Sequence, residues 1–332
     1  MARKTKRQRQ ARAGRSKRRL ASDQSASNQS APAVRPGQQL HLRVLQGAAG
    51  APKSVVLERP VFSETWQNDV AQATANSVFA NLSGRLDRAR VVDVAGDVML
   101  ATSRLVDHLL AQVPEPGIAC APGCDHCCYQ SVGVTPVEAL AILAYLQESR
   151  KPTELAALAG RLSSARETTR GLTSSERFSP EYPCPFLRVE DGRCTIYPVR
   201  PLSCRGMNSL DKDDCRARLR DPALRREFLE SESGGRIVME PVRAFHAFSA
   251  GLQLALSELF ALDMRPLDLT AAIDLLLSNP DQLPEEWLEG KPVLLSALGG
   301  DSTGSRAAER ISGALSGQGT ESKAQRKADQ LG

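Results

Sequence analysis

Four of the chain's eight cysteines fall within nine residues, Cys120-Ala-Pro-Gly-Cys124-Asp-His-Cys127-Cys128, and the others follow as Cys184, Cys194, Cys204 and Cys215. Thiolate is the soft ligand shared by zinc, iron and iron–sulfur clusters. A two-residue gap such as that between Cys124 and Cys127 lets one tight turn aim two sulfurs at one ion. The competing use of an even cysteine count is a disulfide framework. Such frameworks belong to short secreted chains, whereas this chain has 332 residues and its first residues, Met1-Ala-Arg-Lys-Thr-Lys-Arg7, run into no apolar stretch. Adjacent Cys127 and Cys128 also point in divergent directions and do not readily close on each other within normal disulfide geometry. The pattern therefore points to a metal site in a reducing, cytoplasmic setting.

His126, inside the motif, is a further donor that suits zinc or iron, or a neighbour that tunes the thiols. Six arginines, Arg188, Arg193, Arg200, Arg205, Arg216 and Arg218, crowd the second half of the cysteine-rich stretch and are available to offset negative charge. Arg188 and Arg216 read as solvated surface residues. His108, beside Asp107 on a helix ahead of the motif, reads as a partly exposed helical residue. No Ser-His-Asp or paired-carboxylate arrangement stands out.

The elements that must carry these side chains are mostly helical. Val98, Thr102, Leu105, Val106, Leu109 and Leu110 form one apolar stripe, and Val137, Leu140, Ala141, Ala144 and Tyr145 form another. The second helix has a defined start, with Thr135 as cap, Pro136 at the first helical position and Glu138 completing a capping box. Further helices are expected over about 64–85, 153–170, 213–232 and 241–262. The last carries Leu252, Ala255, Leu256, Leu259 and Phe260 on one face, and Gln253, Ser257 and Glu258 interrupt it too early for a membrane span.

One strand pair stands out. Phe186–Glu190 and Arg193–Tyr197 flank Asp191-Gly192, a pair that favours a two-residue type I′ turn. In that register Val189 faces Cys194 and Leu187 faces Ile196. Cys184 then lies roughly 17 Å from Cys194 along a straight ribbon rising about 3.4 Å per residue. Either Pro183 and Pro185 bend the chain back, or the two thiols serve different ligand sets.

Composition sets the frame. Hydrophobic residues make up 41% and aromatic ones 4%, so a core exists and is built of Leu, Val and Ala. Residues 1–20 hold ten Lys or Arg and no acid, leaving 33 basic against 38 acidic residues elsewhere. Arg18-Arg19 is followed by polar residues where a twin-arginine export signal needs an apolar segment. Residues 1–40 read as a disordered basic arm, 41–300 as a single helical domain containing the cysteine cluster at 117–215, and 301–332 as a disordered tail. The arm would attract nucleic acid or another polyanion through phosphates, without aromatics for base stacking. It reads equally as a solubilising tail.

Cys120–Cys128, Cys184-Pro-Phe-Leu, Cys194-Thr-Ile-Tyr, Arg200-Pro201 and Cys204-Arg205 together resemble the cysteine-cluster family named for zinc or iron chelation, also called YkgJ-type. The resemblance covers about Gly117 to Cys215. It implies metal binding by Cys120, Cys124, Cys127, Cys128, Cys184, Cys194, Cys204 and Cys215, the last on the weakest match. It also implies that Arg200 and Arg205 are buried partners behind the thiols. The cysteine region is similar to that of the flagellin lysine methylases, which links it to protein methylation. No glycine-rich strand-to-helix turn for S-adenosylmethionine accompanies it. The Cys120-x3-Cys124-x2-Cys127 spacing also resembles radical S-adenosylmethionine enzymes, but the sequence after it lacks the strand–helix alternation of their barrels. The reading is a mainly α protein with a small β-hairpin that binds zinc, iron or an iron–sulfur cluster. An iron–sulfur-dependent enzyme and a nucleic-acid-associated protein are the alternatives.

Overall fold

The computed structural model describes residues 41–45, 54–59, 66–82, 86–230 and 236–298. The expected basic arm (1–40) and C-terminal tail (301–332) lie outside the described residues. Helices dominate: α1 (Trp66–Leu82), α2 (Arg88–Leu110), α3 (Pro136–Ser149), α4 (Pro152–Thr168), α5 (Ser174–Arg177), α6 (Leu202–Gly206), α7 (Lys212–Arg220), α8 (Pro222–Glu230), α9 (Met239–Phe260), α10 (Leu269–Ser278) and α11 (Gln282–Leu288). The mainly α reading holds.

The core is built around α9, which packs against α1, α2 and α6. Ala244, Ala247, Phe248, Ala250, Leu252, Ala255 and Leu256 are all buried along it. Small residues interspersed with large ones let the neighbouring helices approach while filling the gaps between them. The α2 stripe faces inward as its periodicity requires: Val98, Thr102, Leu105, Val106 and Leu109 are buried. Thr102 satisfies its hydroxyl by donating to the Val98 carbonyl one turn back, at 2.8 Å. α3 is buried more completely than one stripe demands, with Ala139, Ile142, Leu143 and Leu146 joining Val137 and Leu140, because it lies against both α2 and α10. Its capping box is formed: Thr135 Oγ1 accepts from the Glu138 N–H at 3.3 Å, and Glu138 Oε2 accepts from the Thr135 N–H at 2.9 Å. No helix among the described residues is long and apolar enough to cross a membrane.

The structure departs from the sequence reading at three places. The helix expected over 213–232 is two, α7 and α8, broken at Asp221. Proline 222 has no N–H to continue α7 and forces its predecessor out of the helical region, so Asp221 is extended at φ −102°, ψ 113°. The same Asp221 then accepts from the Ala223 N–H at 2.8 Å and starts α8. The hairpin register is also different. β4 (Leu187–Arg188) pairs with β5 (Arg193–Cys194), so Leu187, not Val189, lies opposite Cys194, and the loop between them has four residues. The type I′ turn fails because only Gly192, and not Asp191, takes a positive φ (67°). Asp191 is instead held by Arg188, which grips both of its carboxylate oxygens.

Further strand pairs also form, where the sequence suggested one. β1 (His41–Leu45) pairs antiparallel with β2 (Ser54–Arg59), and β3 (Gly133–Val134) with β6 (Leu267–Asp268). The latter is only two residues long, too short for periodicity to reveal.

His246, on α9, stacks edge-on against Phe245 with ring centroids 4.0 Å apart. Its Nε2 meets no hydrogen-bond partner in the protein. Burial penalises the charged imidazolium and lowers the pKa from 6.5 to about 4. The unfolded chain therefore takes up this proton at a pH where the folded chain does not, so stability falls as pH drops from about 6.5 to about 4. Urea unfolding across that window should show a loss of up to roughly 3 kcal/mol from this group. His246→Leu should flatten that part of the profile, and an unchanged slope in the variant would remove His246 from the account.

Candidate metal centre

The motif lies between α2 and α3. Cys120 is held by the Ser209 segment: the Ala119 N–H donates to the Ser209 carbonyl at 2.8 Å, and the Ser209 N–H donates to Cys120 Sγ at 3.3 Å. Gly123 turns the loop at φ 90°, and the Cys124 N–H closes it by donating to the Ala121 carbonyl at 2.9 Å. A short 3₁₀ turn, His126–Tyr129, then presents Cys127 and Cys128.

The second half is brought back to the first by the backbone. The Cys184 N–H donates to the Cys128 carbonyl at 2.7 Å, and the chain turns at once, with the Leu187 N–H donating to the Cys184 carbonyl at 2.9 Å. This turn brings Cys184 near Cys194, close enough that each thiol's charge bears on the other region: Cys204 and Cys194 both oppose ionisation of Cys184. The straight-ribbon separation does not apply, because the strands are short and the prolines bend the chain. Cys204 rides on α6. Gly206 at the end of that helix lies so close to α9 that a methyl there would stand 2.3 Å from Phe245. Cys215 sits in α7, whose start is capped by Asp211 accepting from the Asp213 and Asp214 N–H groups.

All eight cysteines are free thiols, half-buried. Burial is the first influence on most of them and disfavours the thiolate. It pushes Cys184 and Cys204 up to about 12, and raises Cys120, Cys194 and Cys215. The Ser209 N–H, 3.3 Å from Cys120 Sγ, opposes this at Cys120, and the backbone at Phe186 and Ile196 pulls the same way at Cys184 and Cys194. Cys127 moves the other way: the adjacent Cys128 thiol draws its pKa down to about 6, while the same pairing raises that of Cys128. Arg200 adds to that effect. Burial disfavours its charge, but Cys204, Cys127, Tyr197 and Cys128 around it outweigh burial and raise its pKa.

Arg205 has a structural part. Its guanidinium donates to the carbonyls of Arg200 and Pro198 and to Ser103 Oγ at 2.7–3.0 Å. Arg188 and Arg216 are about half exposed and pair with Asp191 and Asp213, as solvated surface residues do. Arg218 is buried, paired with Asp214 and stacked on Phe228 at 4.3 Å. His126 stands beside Asp125, with Nδ1 3.4 Å from its Oδ1. His108 lies away from the motif on α2, its pKa lowered by burial.

A small pocket of about 30 Å³ lies over Cys120, Cys124, Cys127 and Cys215. His126, Gln130 and Ser209 contribute polar atoms, and Phe178, Met207, Phe228 and Ile237 the apolar wall. Sequence reading missed this wall and Ser209. No local signal marks a serine 89 residues from the cysteine it touches.

Among the described residues, no three Cys, His, Asp or Glu side chains converge closely enough to hold an ion as they stand. Neutral thiols have no charge to draw them together. Closing round an ion requires their deprotonation and side-chain rotation, which metal binding itself drives. The donor chemistry fits zinc or iron: eight unpaired thiols, one of which, Cys120, accepts from a backbone N–H.

A family model described as "CxxCxxCC: Putative zinc- or iron-chelating domain" matches residues 119–220. This segment is similar to the cysteine-cluster family. The family's name spells two-residue gaps, whereas the first gap here has three residues and includes Gly123. No curated protein and no solved structure matches the chain.

The extra residue has a packing role. Gly192 at the tip of the β4–β5 hairpin docks on Gly123, and a β-carbon at 192 would stand 2.4 Å from the Gly123 carbonyl oxygen. Gly192→Ala should therefore push the hairpin off the motif loop. Overpacking together with a strained positive φ should cost about 1–3 kcal/mol by urea denaturation, with faster alkylation of Cys194. A variant as stable and as protected as the parent would show that the two loops do not depend on each other.

Proposed function

We propose that the cysteine-rich segment binds zinc or iron through thiolates drawn from Cys120, Cys124, Cys127, Cys128, Cys184, Cys194, Cys204 and Cys215. The observation that carries this reading is the Ser209 N–H directed at Cys120 Sγ at 3.3 Å, beside a pocket that Cys120, Cys124, Cys127 and Cys215 line together. A neutral thiol is a weak acceptor, so a donor placed there serves an anion, and the thiolate is the form that ligates metal. Arg200, placed among Cys204, Cys127 and Cys128, offsets the negative charge that several thiolates retain around one divalent ion. The metal would supply the enthalpy that ties the two halves of the segment together.

Zinc, iron and an iron–sulfur cluster would draw on the same donors. Metal analysis, acid-labile sulfide and the visible spectrum of protein purified without oxygen distinguish them: sulfide with broad visible absorption identifies a cluster, and a colourless, sulfide-free metalloprotein identifies zinc. Protein prepared this way and containing no zinc or iron would overturn the reading.

The double variant Cys124→Ser/Cys127→Ser should bind substoichiometric metal, since a hydroxyl is a poor soft-metal ligand. Because binding energy is folding energy where a site joins distant segments, chelator treatment of the parent should lower its melting temperature by several degrees. It should also expose thiols to titration. A full metal complement in the double variant, or identical melting with and without chelator, would count against ligation by the motif.

A further inference from the structure

The eight cysteines occupy two different environments. Cys120, Cys124, Cys127 and Cys215 line the pocket, and none of the other four does. Ser209 lines the same pocket and donates its N–H to Cys120 Sγ at 3.3 Å. The others face inward. Cys184 and Cys194 pack against the hydrophobic core. Cys204 is carried by α6, a helix fixed to α9 by the close approach at Gly206 and anchored by buried Leu202. Cys128 is joined through its carbonyl to the Cys184 N–H at 2.7 Å. The adjacent pair Cys127–Cys128 is the single peptide step between the groups.

Resting on the metal-binding reading above, we propose that the thiols form two sets of four with different roles. Cys120, Cys124, Cys127 and Cys215 make an outward set whose metal exchanges through the pocket, and Cys128, Cys184, Cys194 and Cys204 make an inner set that retains its metal. A structural metal site is closed by four protein ligands against a packed surround, while a working site keeps an approach from solvent. The apolar wall of Phe178, Met207, Phe228 and Ile237 borders that approach.

The test uses the full-length protein, purified without oxygen, with its metal content measured first. EDTA is added together with N-ethylmaleimide, samples are quenched over time, and labelled cysteines are mapped by mass spectrometry while metal release is followed. The expected result is two phases: an early release with labelling of Cys120, Cys124, Cys127 and Cys215, then a late release with labelling of the other four, at least tenfold slower. Ile237→Trp, which narrows the pocket without removing a thiol, should slow the early phase several-fold and leave the late one unchanged. A full metal complement lost in one phase with all eight thiols labelled together would overturn the division and leave metal binding intact. So would earlier labelling of the inner set, or an early phase indifferent to Ile237→Trp. Absence of metal at the outset would overturn both readings.

Discussion

One buried carboxylate joins the two halves of the cysteine-rich segment. Glu138 is 2% exposed, and burial raises its pKa before any partner is counted. Its Oε2 accepts from the N–H and hydroxyl of Thr135, at 2.9 and 2.8 Å, and so begins α3 directly after the first cysteine run. Its Oε1 accepts from the Leu202 N–H at 2.8 Å and so begins α6, the helix that carries Cys204. A charge taken out of water is tolerated only where its lone pairs are filled. The two helix starts fill them, and each is thereby fixed relative to the other. The placement of Cys204 beside the motif follows from this, as does the register in which α6 meets α9.

A second constraint is the accumulation of like charge. Thiols brought together resist ionisation through burial and through one another, and Cys204 feels Cys127, Cys194 and Glu138 at once. Arg200 answers from the same space. Its guanidinium cannot be neutralised under ordinary conditions, so it is a fixed positive charge among groups whose own charge depends on whether an ion is present. Arg205, five residues on, instead braces the backbone around Arg200 by donating to its carbonyl at 2.8 Å.

The parts legible in the sequence are those governed by neighbours along the chain. The α3 start followed from Thr135, Pro136 and Glu138; the α2 stripe followed from its spacing; the hairpin site followed from Asp191-Gly192. The hairpin register did not follow, because the loop is shaped by the Arg188 grip on Asp191 and by Gly123 pressing on Gly192, 69 residues away. The break at Asp221-Pro222 was written in a cap-and-proline pair, but hydrophobic periodicity ran across it and masked it. Glu138's bond to Leu202 and Ser209's bond to Cys120 span 64 and 89 residues. No local pattern encodes contacts of that length. The eight thiols were recognisable from their types and spacing, whereas their division between pocket and core came only from the fold.

The bond from the Cys184 N–H to the Cys128 carbonyl joins segments that are made at different times. It closes an excursion of 55 residues that contains α3, α4 and α5, so the first cysteine run leaves the ribosome well before its partners. At about 5–20 residues per second, the interval is several seconds. During that time Cys120, Cys124, Cys127 and Cys128 stand as an incomplete nest of thiols, exposed to oxidants and to whichever metal the cell offers first. Any metal that the finished segment were to hold would therefore be open to competition during synthesis, before the geometry that would select it has formed.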